Sequence, residues 1–160
     1  MTVRVQAEDF DSAAEVRRLN GTSTEAGAIV TFTGTVRGES HGQRLILMEL
    51  EHYPGMTEAE LARIEQEARS RWPLTASLII HRYGRLLPGD NIVLVVTVSR
   101  HRQAAFAAAE FLMDYLKTRA PFWKKETLSD GTGGWVDARE TDDTALERWA
   151  MPDVTAATAP

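Results

Sequence analysis

Three features of the sequence predict an α+β fold, a single domain with a mixed or antiparallel sheet and flanking helices. The 160 residues are 43% hydrophobic and 26% charged, a composition typical of one compact globular domain. Strand-like and helix-like segments follow each other without the regular βαβ rhythm of a parallel sheet. No internal repeat or linker divides the chain, so we expect the domain to occupy residues 1–150 and the small, proline-flanked residues 151–160 to be disordered.

The first third of the chain predicts two strands and a helix. A short strand at Val3–Ala7 precedes a helix that the capping-box pattern Ser12-x-x-Glu15 opens and Asn20-Gly21 ends. Ala28–Arg37 alternates apolar residues with threonines, which predicts a half-buried strand whose polar face ends in an arginine. A polar loop at Gly38–Gly42 follows.

The middle of the chain predicts a helix among three strands. A second capping box, Thr57-x-x-Glu60, opens a helix that stops near Trp72, because Pro73 disfavours helix at the residue before it. The strands of this part are Gln43–Tyr53, Leu78–Tyr83 and Ile92–Ser99, the last two joined by a turn at Pro88-Gly89-Asp90.

The strongest helical pattern runs from Arg102 to about Arg119. This segment is rich in alanine, and Ala120-Pro121 should end it. Its predicted apolar stripe consists of Phe106, Ala109, Met113 and Leu116. The predicted elements after it are two short strands, Phe122–Thr127 and Trp135–Ala138, and a helical turn at Leu146–Trp149.

Composition and charge exclude several classes of protein. The chain has no cysteine, which excludes a disulfide framework, a thiolate zinc site, an iron–sulfur cluster and a cysteine nucleophile of its own. The net charge of −5 argues against a general nucleic-acid binder. The sequence has no apolar run near the ~20 residues that span a bilayer, and its N-terminus has no apolar signal core. We therefore expect a cytoplasmic protein that binds neither nucleic acid nor membrane.

The charge is unevenly distributed along the chain. Residues 100–125 hold six basic and two acidic residues, a local charge of +4, while the remainder carries −9. A basic island in an acidic chain favours a confined anionic ligand over a long polyanion. A solvated, charged helix face explains the same count equally well.

Common nucleotide, hydrolase and metal motifs are missing from the sequence. There is no Gly-x-Gly-x-x-Gly after a strand, no phosphate loop ending in Gly-Lys-Ser/Thr and no Gly-x-Ser-x-Gly elbow. The four histidines form no His-x-x-x-His pair. The sequence therefore predicts no metal site and no cofactor.

Three segments are candidates for chemistry. In Ser99-Arg100-His101-Arg102 a strand meets the best helix with Ser99 as the expected N-cap, so His101 and Arg102 favour a phosphate site, although cations at this position oppose the helix dipole. Lys117, near the end of that helix, is either a desolvated catalytic lysine or an ordinary C-terminal helix cation. Arg37 ends the threonine-faced strand beside the glycine loop.

Five segments of the sequence together resemble one family. They are Val30-Thr31-Phe32-Thr33-Gly34-Thr35-Val36-Arg37, Leu50-Glu51-His52-Tyr53-Pro54-Gly55-Met56-Thr57, Ile80-His81-Arg82-Tyr83-Gly84, Ser99-Arg100-His101-Arg102 and, most specifically, Met113-Asp114-Tyr115-Leu116-Lys117-Thr118-Arg119-Ala120-Pro121-Phe122-Trp123-Lys124-Lys125-Glu126. In this order they are similar to the large, catalytic subunit of molybdopterin synthase, over roughly residues 3–149.

The resemblance implies a fold, a reaction and partners. The fold is α/β-hammerhead-like, and the enzyme converts cyclic pyranopterin monophosphate (precursor Z) to molybdopterin by installing the two sulfurs of a dithiolene. Sulfur arrives as the thiocarboxylate of the C-terminal Gly-Gly of a small ubiquitin-like subunit. The active assembly is a heterotetramer built on a homodimer of large subunits. A donor on another chain agrees with the lack of cysteine.

The resemblance also assigns residues. Lys117 and Lys124 match the family's catalytic lysines. The positions that match substrate-binding segments are Thr35, Val36, Arg37, His101, Arg102, Lys125, Glu126 and Arg139. Thr35 stands where a lysine is frequent, and Lys125 where an arginine is frequent.

Two hypotheses follow for function and site. The chain is either the sulfur-transferring enzyme or a non-catalytic module that binds a phosphorylated ligand and a ubiquitin-like tail. Arg102 and Lys117 lie 15 residues apart, roughly 22 Å along one helix. If both residues serve one substrate, they should come from two different subunits. His101 would belong to the same subunit as Arg102, and Arg37 could belong to either subunit.

Overall fold

The computed structural model describes residues 2–136 and 140–150 and confirms the predicted α+β class. The elements of this part of the chain are β1 (Val3–Gln6), α1 (Ser12–Asn20), β2 (Ala28–Thr35), β3 (Glu39–Ser40), β4 (Gln43–His52), α2 (Met56–Arg71), β5 (Leu74–Arg82), β6 (Gly84–Leu86), β7 (Asn91–Ser99), α3 (Arg102–Thr118), β8 (Phe122–Leu128), β9 (Gly133–Val136) and α4 (Glu140–Glu147). No helix among the described residues is long and apolar enough to cross a membrane.

The first sheet has the strand order β1-β5-β7-β2. The β1 and β5 strands run parallel, whereas the β5–β7 and β7–β2 pairs are antiparallel. Residues of α2 and α3 pack on one face, where Leu61, Phe111 and Leu112 meet Ile79 and Val95. The other face is apolar too and packs against α1. Burial on both faces explains why β5 and β7 are nearly continuous runs of aliphatic residues.

The second sheet is antiparallel and has the order β3-β4-β8-β9, with β6 also pairing with β4. Its core consists of Val36, Leu45, Met48, Leu50 and Leu86. Ile92, from β7, packs against this cluster and against the core of the first sheet. The two sheets are therefore joined through a shared apolar contact.

The α3 helix runs back along β7 and so defines two ends of the first sheet. Near its start, the Thr97 hydroxyl of β7 donates a hydrogen bond to the Ala105 carbonyl at 2.6 Å. Near its end, Leu116 lies in one core cluster with Val93. The helix therefore starts beside the C-terminal end of β7 and finishes beside the N-terminal end.

The predicted helix caps are wrong by one to two residues. Asp11, not Ser12, caps α1, since its carboxylate accepts the Ala14 N–H at 3.1 Å. The N-cap of α2 is Gly55, whose N–H donates to the Glu58 carboxylate at 2.6 Å. The Ser99 hydroxyl donates to the Pro73 carbonyl at 2.9 Å, so that His101 takes the N-cap of α3. In each case a neighbouring backbone or side-chain partner decides the boundary.

Two expectations about burial are also wrong. Phe106 was expected on the apolar stripe of α3 but is 62% exposed, and Phe32 on β2 is 40% exposed. The sequence pattern does not show that β2 is the last strand of its sheet, with a neighbour on one side only among the described residues. The expected end of the last strand at Ala138 and the expected tail at 151–160 lie outside the described residues.

Candidate functional site

Lys117 is exposed near the end of α3, close to the buried ring of His81. After the helix, the chain turns through Pro121 and places Phe122 flat against His81, with ring centroids 3.7 Å apart and planes inclined by 18°. The Nδ1–H of His81 donates to the Arg82 carbonyl at 2.8 Å. Burial and, to a smaller extent, the positive charge of Lys117 lower the pKa of His81 to about 4. His81 is therefore a neutral, hydrogen-bonded support beside Lys117.

Lys124 lies on β8, two residues from Phe122, and shares one face of the strand with Phe122 and Glu126. Its Nζ is 3.8 Å from Oε1 of Glu126. The Glu126 side chain is only 8% exposed, whereas that of Lys124 is 32% exposed. A buried carboxylate therefore holds one side of the lysine, and the ammonium group remains accessible.

The same carboxylate also holds the hairpin formed by β3 and β4. The Ser40 hydroxyl donates to Oε2 of Glu126 at 2.5 Å, across 86 residues of sequence. The hairpin turns at His41-Gly42, where both residues have positive φ (52° and 75°), as a two-residue hairpin turn of this type requires. The Ser40–Glu126 hydrogen bond thus ties the hairpin to the strand that carries Lys124.

Arg37 lines an open cleft of about 810 Å³ formed by residues 37–42 and Arg44. The residue before it, Val36, is buried in the core of the second sheet. The Val36 N–H donates to the Asp90 carbonyl at 2.9 Å, and its carbonyl accepts the Gly89 N–H at 2.8 Å. Val36 therefore acts as an anchor that positions Arg37, and both its backbone groups are already hydrogen-bonded.

Arg37, Lys117 and Lys124 all lie toward the end of the first sheet that the cross-strand pairs His81–Val93 and Val93–Gly34 mark, and we call these three residues the lysine cluster.

His101 and Arg102, which we call the helix-start cluster, lie at the opposite end of the sheet. They follow Ser99, which is paired with both Ala28 and Leu74. Both residues are exposed at the first turn of α3, where backbone N–H groups point outward and favour anions. From Val93 to Ser99 the sheet extends about 20 Å. The structure therefore divides the predicted site residues of one chain into two separate groups.

The remaining predicted residues fall outside both clusters. Thr35 is exposed at the irregular end of β2. Lys125 lies on the face of β8 opposite to Lys124 and is paired with Glu49 of β4. Arg139 lies outside the described residues.

Two features of the site were missed at the sequence level. Ser40 was assigned only to a polar loop, although the turn signal His41-Gly42 between short polar segments is compatible with a hairpin. The second feature is an aromatic cleft of about 500 Å³ lined by Glu51, His52, Tyr53, Trp123 and Trp135. The alternation of Trp123 with Phe122 and Lys124 on β8 is the signal that places this tryptophan on the outer face.

The fold and site together define a small α+β protein with two exposed basic groups suited to a compact anion. No group of three or more His, Asp or Glu residues in the described part of the chain is arranged to hold a metal ion.

Comparison with known proteins identifies the family. Residues 5–119 match the family model described as MoaE protein. The molybdopterin synthase catalytic subunit of Brucella melitensis is 58% identical over 153 residues, which are 95% of this chain and 93% of that protein. The chain belongs to the MoaE protein family.

Solved structures agree with this assignment. The molybdopterin biosynthesis MoaE protein from Burkholderia ambifaria superimposes with a TM-score of 0.80 at 56% identity, covering 94% of this chain and 99% of that one. The molybdopterin synthase structure from Staphylococcus aureus matches with a TM-score of 0.76 at 33% identity, covering 83% and 95%. The recognition made from sequence motifs is thereby confirmed.

The buried His81 predicts a loss of stability in acid. Its folded-state pKa of about 4 lies below the unfolded value of 6.5, so the unfolded chain binds the proton more readily between these pH values. Lowering the pH from 7.5 to 5 should remove about 2 kcal/mol of unfolding free energy through this residue. Urea unfolding at both pH values should show a smaller loss for His81→Gln than for the wild type.

The matched control is His41→Asn, at the exposed hairpin turn, since asparagine tolerates positive φ. This variant should keep the acid sensitivity of the wild type. An unchanged acid sensitivity in His81→Gln would show that His81 is not the group responsible.

Proposed function

We propose that this chain is the catalytic subunit of a molybdopterin synthase. It transfers sulfur from the C-terminal thiocarboxylate of a small ubiquitin-like subunit to cyclic pyranopterin monophosphate, and two transfers form the dithiolene. The observation that carries this proposal is the lysine cluster: in a chain of the MoaE family, Arg37, Lys117 and Lys124 lie toward one end of the first sheet, where a buried carboxylate pairs with Lys124 and accepts the Ser40 hydroxyl. The reaction takes place in the cytoplasm.

The lysine cluster provides the acid–base, charge-stabilising and phosphate-binding groups that the reaction requires. Each transfer forms a carbon–sulfur bond at a side-chain carbon of the pterin and breaks that carbon's bond to oxygen, which leaves as water or with the opened phosphate ester. Hydrolysis then breaks the acyl carbon–sulfur bond of the carrier, and water supplies the oxygen of the carrier's new carboxylate. Lys117, exposed beside the neutral His81, exchanges protons or forms a transient covalent bond with the substrate. Lys124 stabilises the negative charge that develops during transfer. Arg37 holds the phosphate, a task suited to its planar guanidinium.

Glu126 acts as a positioning residue in this scheme. Its carboxylate is buried and already engaged by Ser40 and Lys124. A further anion beside it would be repelled, so Glu126 orients Lys124 and the hairpin and does not bind the substrate phosphate.

The helix-start cluster serves the same substrate from a second copy of the chain. Arg102 and Lys117 occupy opposite ends of α3, about 22 Å apart along its axis. A pterin monophosphate spans on the order of 10 Å, so one molecule reaches both residues only when they come from different chains. The Ser40–Glu126 hydrogen bond groups Arg37 with the lysines of its own chain. The working assembly is a homodimer with one small subunit on each chain.

One measurement distinguishes the catalytic function from the alternative of a non-catalytic binding module. The purified chain, mixed with thiocarboxylated small subunit and cyclic pyranopterin monophosphate, should yield dithiolene product detectable by mass spectrometry. Lys117→Ala should keep its circular dichroism spectrum and its affinity for the small subunit while product formation falls at least a hundredfold. A complex without product in the wild type would instead establish a binding module.

The role of Glu126 predicts a split between turnover and binding. Glu126→Gln keeps an oxygen that accepts the Ser40 hydrogen bond but removes the charge that holds Lys124, so kcat should fall about tenfold with KM little changed. Ser40→Ala leaves that charge and loosens the hairpin beside Arg37, so its main effect should be a raised KM. Glu49→Gln, a matched carboxylate opposite Lys125, should change neither constant. A raised KM as the main effect of Glu126→Gln would assign Glu126 to substrate binding.

The shared site predicts complementation between inactive variants. Lys117→Ala chains and Arg102→Ala chains should each be inactive alone. When their subunits exchange, half of the mixed dimers' sites carry both intact groups, and activity should return. If native mass spectrometry confirms mixed dimers and these dimers recover no activity, the residues of the site all act within one chain.

A further inference from the structure

Gly27 lies where the chain enters β2, directly against the turn that leads into α3. Its N–H donates to the Ser99 carbonyl at 3.0 Å, and the pairing of Ala28 with Ser99 places Gly27 beside Arg100. A Cβ built on Gly27 would meet the Arg100 carbonyl oxygen at 2.1 Å and its carbonyl carbon at 3.1 Å. Non-bonded carbon and oxygen atoms approach no closer than about 3 Å. Only a residue without a side chain therefore fits at this position.

The requirement for glycine at this position is one of space and not of backbone conformation. Gly27 is not among the glycines whose φ is positive, so its backbone conformation is open to other residues. Gly21, at the C-cap of α1, shows the opposite case. It has a φ of 55°, and a Cβ built on it meets no atom within 4 Å. The two glycines thus separate the effect of a close contact from the effect of conformation.

The close contact of Gly27 acts on the peptide plane that carries His101. The Arg100 carbonyl and the His101 N–H belong to one planar unit, which also contains the His101 Cα. The oxygen of this plane lies against Gly27, and its N–H donates to the Ser99 hydroxyl at 3.4 Å. The Ser99 hydroxyl is itself fixed, because it donates to the Pro73 carbonyl at 2.9 Å and Ser99 is only 1% exposed. The first sheet therefore holds both edges of the plane.

The helix-start cluster depends on this hold because its own side chains contribute little to its position. His101, the N-cap of α3, makes no side-chain capping hydrogen bond. Arg100, His101 and Arg102 are exposed, and none of them forms an ion pair within the described part of the chain. Cations at a helix N-terminus are also opposed by the helix dipole. The direction of these side chains is therefore set by the backbone that Gly27 and Ser99 hold.

We propose that Gly27 and Ser99 are positioning residues that set the direction of His101 and Arg102 toward the substrate phosphate. This deepens the proposed function, on which it rests, by naming the groups that hold the helix start in place. An alanine at position 27 displaces the peptide plane by about 1 Å, and a misplacement of that size at a binding group costs about tenfold to a hundredfold. Neither residue contacts the lysine cluster, so the chemical step there is unchanged.

The positioning role predicts a split between KM and kcat. Gly27→Ala should raise the KM for cyclic pyranopterin monophosphate at least about tenfold, while kcat changes less than about twofold. Ser99→Ala removes the hydroxyl at the other edge of the same plane and should give the same split with a smaller rise in KM, about threefold. A loss of kcat as the main effect of Gly27→Ala would overturn the proposal.

The matched control is Gly21→Ala, another exchange of glycine for alanine. It is strained by its positive φ and should unfold at a lower urea concentration than the wild type. Because it does not displace the peptide plane, both kinetic constants should stay at their wild-type values. A KM raised equally in Gly21→Ala and Gly27→Ala would assign the effect to lost stability and overturn the positioning role.

A phosphate titration tests the positioning role without sulfur transfer. Inorganic phosphate is added to the wild-type protein and followed through the imidazole NMR signal of His101, which is assigned by its loss in His101→Gln. The dissociation constant should be at least about fivefold higher in Gly27→Ala and unchanged in Gly21→Ala. An equal constant in Gly27→Ala and the wild type would overturn the proposal, and so would a wild-type His101 signal that phosphate does not move.

Folding and assembly are checked on the same samples. Gly27→Ala should keep the circular dichroism spectrum and the light-scattering mass of the wild type. If it fails to fold or to assemble, Ser99→Ala decides the proposal by the same two measurements, and wild-type values of KM and of the phosphate constant in that variant would overturn it. A wild type that transfers no sulfur would refute the proposed function, whereas the phosphate titrations would still decide the roles of Gly27 and Ser99.

Discussion

The length of α3 is the constraint on which the arrangement of the site depends. The helix is continuous from Arg102 to Thr118 and lies along β7, with buried contacts at both ends. A helix cannot shorten without losing hydrogen bonds, so the residues at its two ends are held about 22 Å apart. Each end of the helix nevertheless carries reactive or anion-binding groups. The N-terminal end has outward N–H groups and cations, and the C-terminal end has a lysine close to a buried histidine. The fold thus holds the two basic groups of one chain too far apart to contact one small ligand together.

A buried carboxylate organises the half-site that carries the lysines. A carboxylate beside an anion-binding site is electrostatically unfavourable unless its negative charge is compensated. The Glu126 carboxylate pairs with Lys124 and accepts a hydrogen bond from the Ser40 hydroxyl. Paired and hydrogen-bonded carboxylates keep their charge inside a protein. Under the proposed function, this pairing holds Lys124 in place before the substrate binds, and the Ser40 hydrogen bond links the strand of Lys124 to the hairpin beside Arg37. Preorganised charge of this kind is the main means by which protein sites stabilise developing anions.

The sequence allowed the class of fold, the long helix and most strands to be predicted, because these depend on local periodicity. The caps differed because other partners compete for the predicted capping groups: the Ser99 hydroxyl donates to the Pro73 carbonyl and accepts the His101 N–H, one turn earlier than a cap of α3 would bond. Lys117 and Arg37 were candidates from their positions at the ends of elements, and Lys124 was assigned through the motif resemblance. The roles of Val36 and Glu126 depend on register and on a contact across 86 residues, which no local pattern contains. The exposure of Phe32 depends on β2 being an edge strand, which is a property of topology alone.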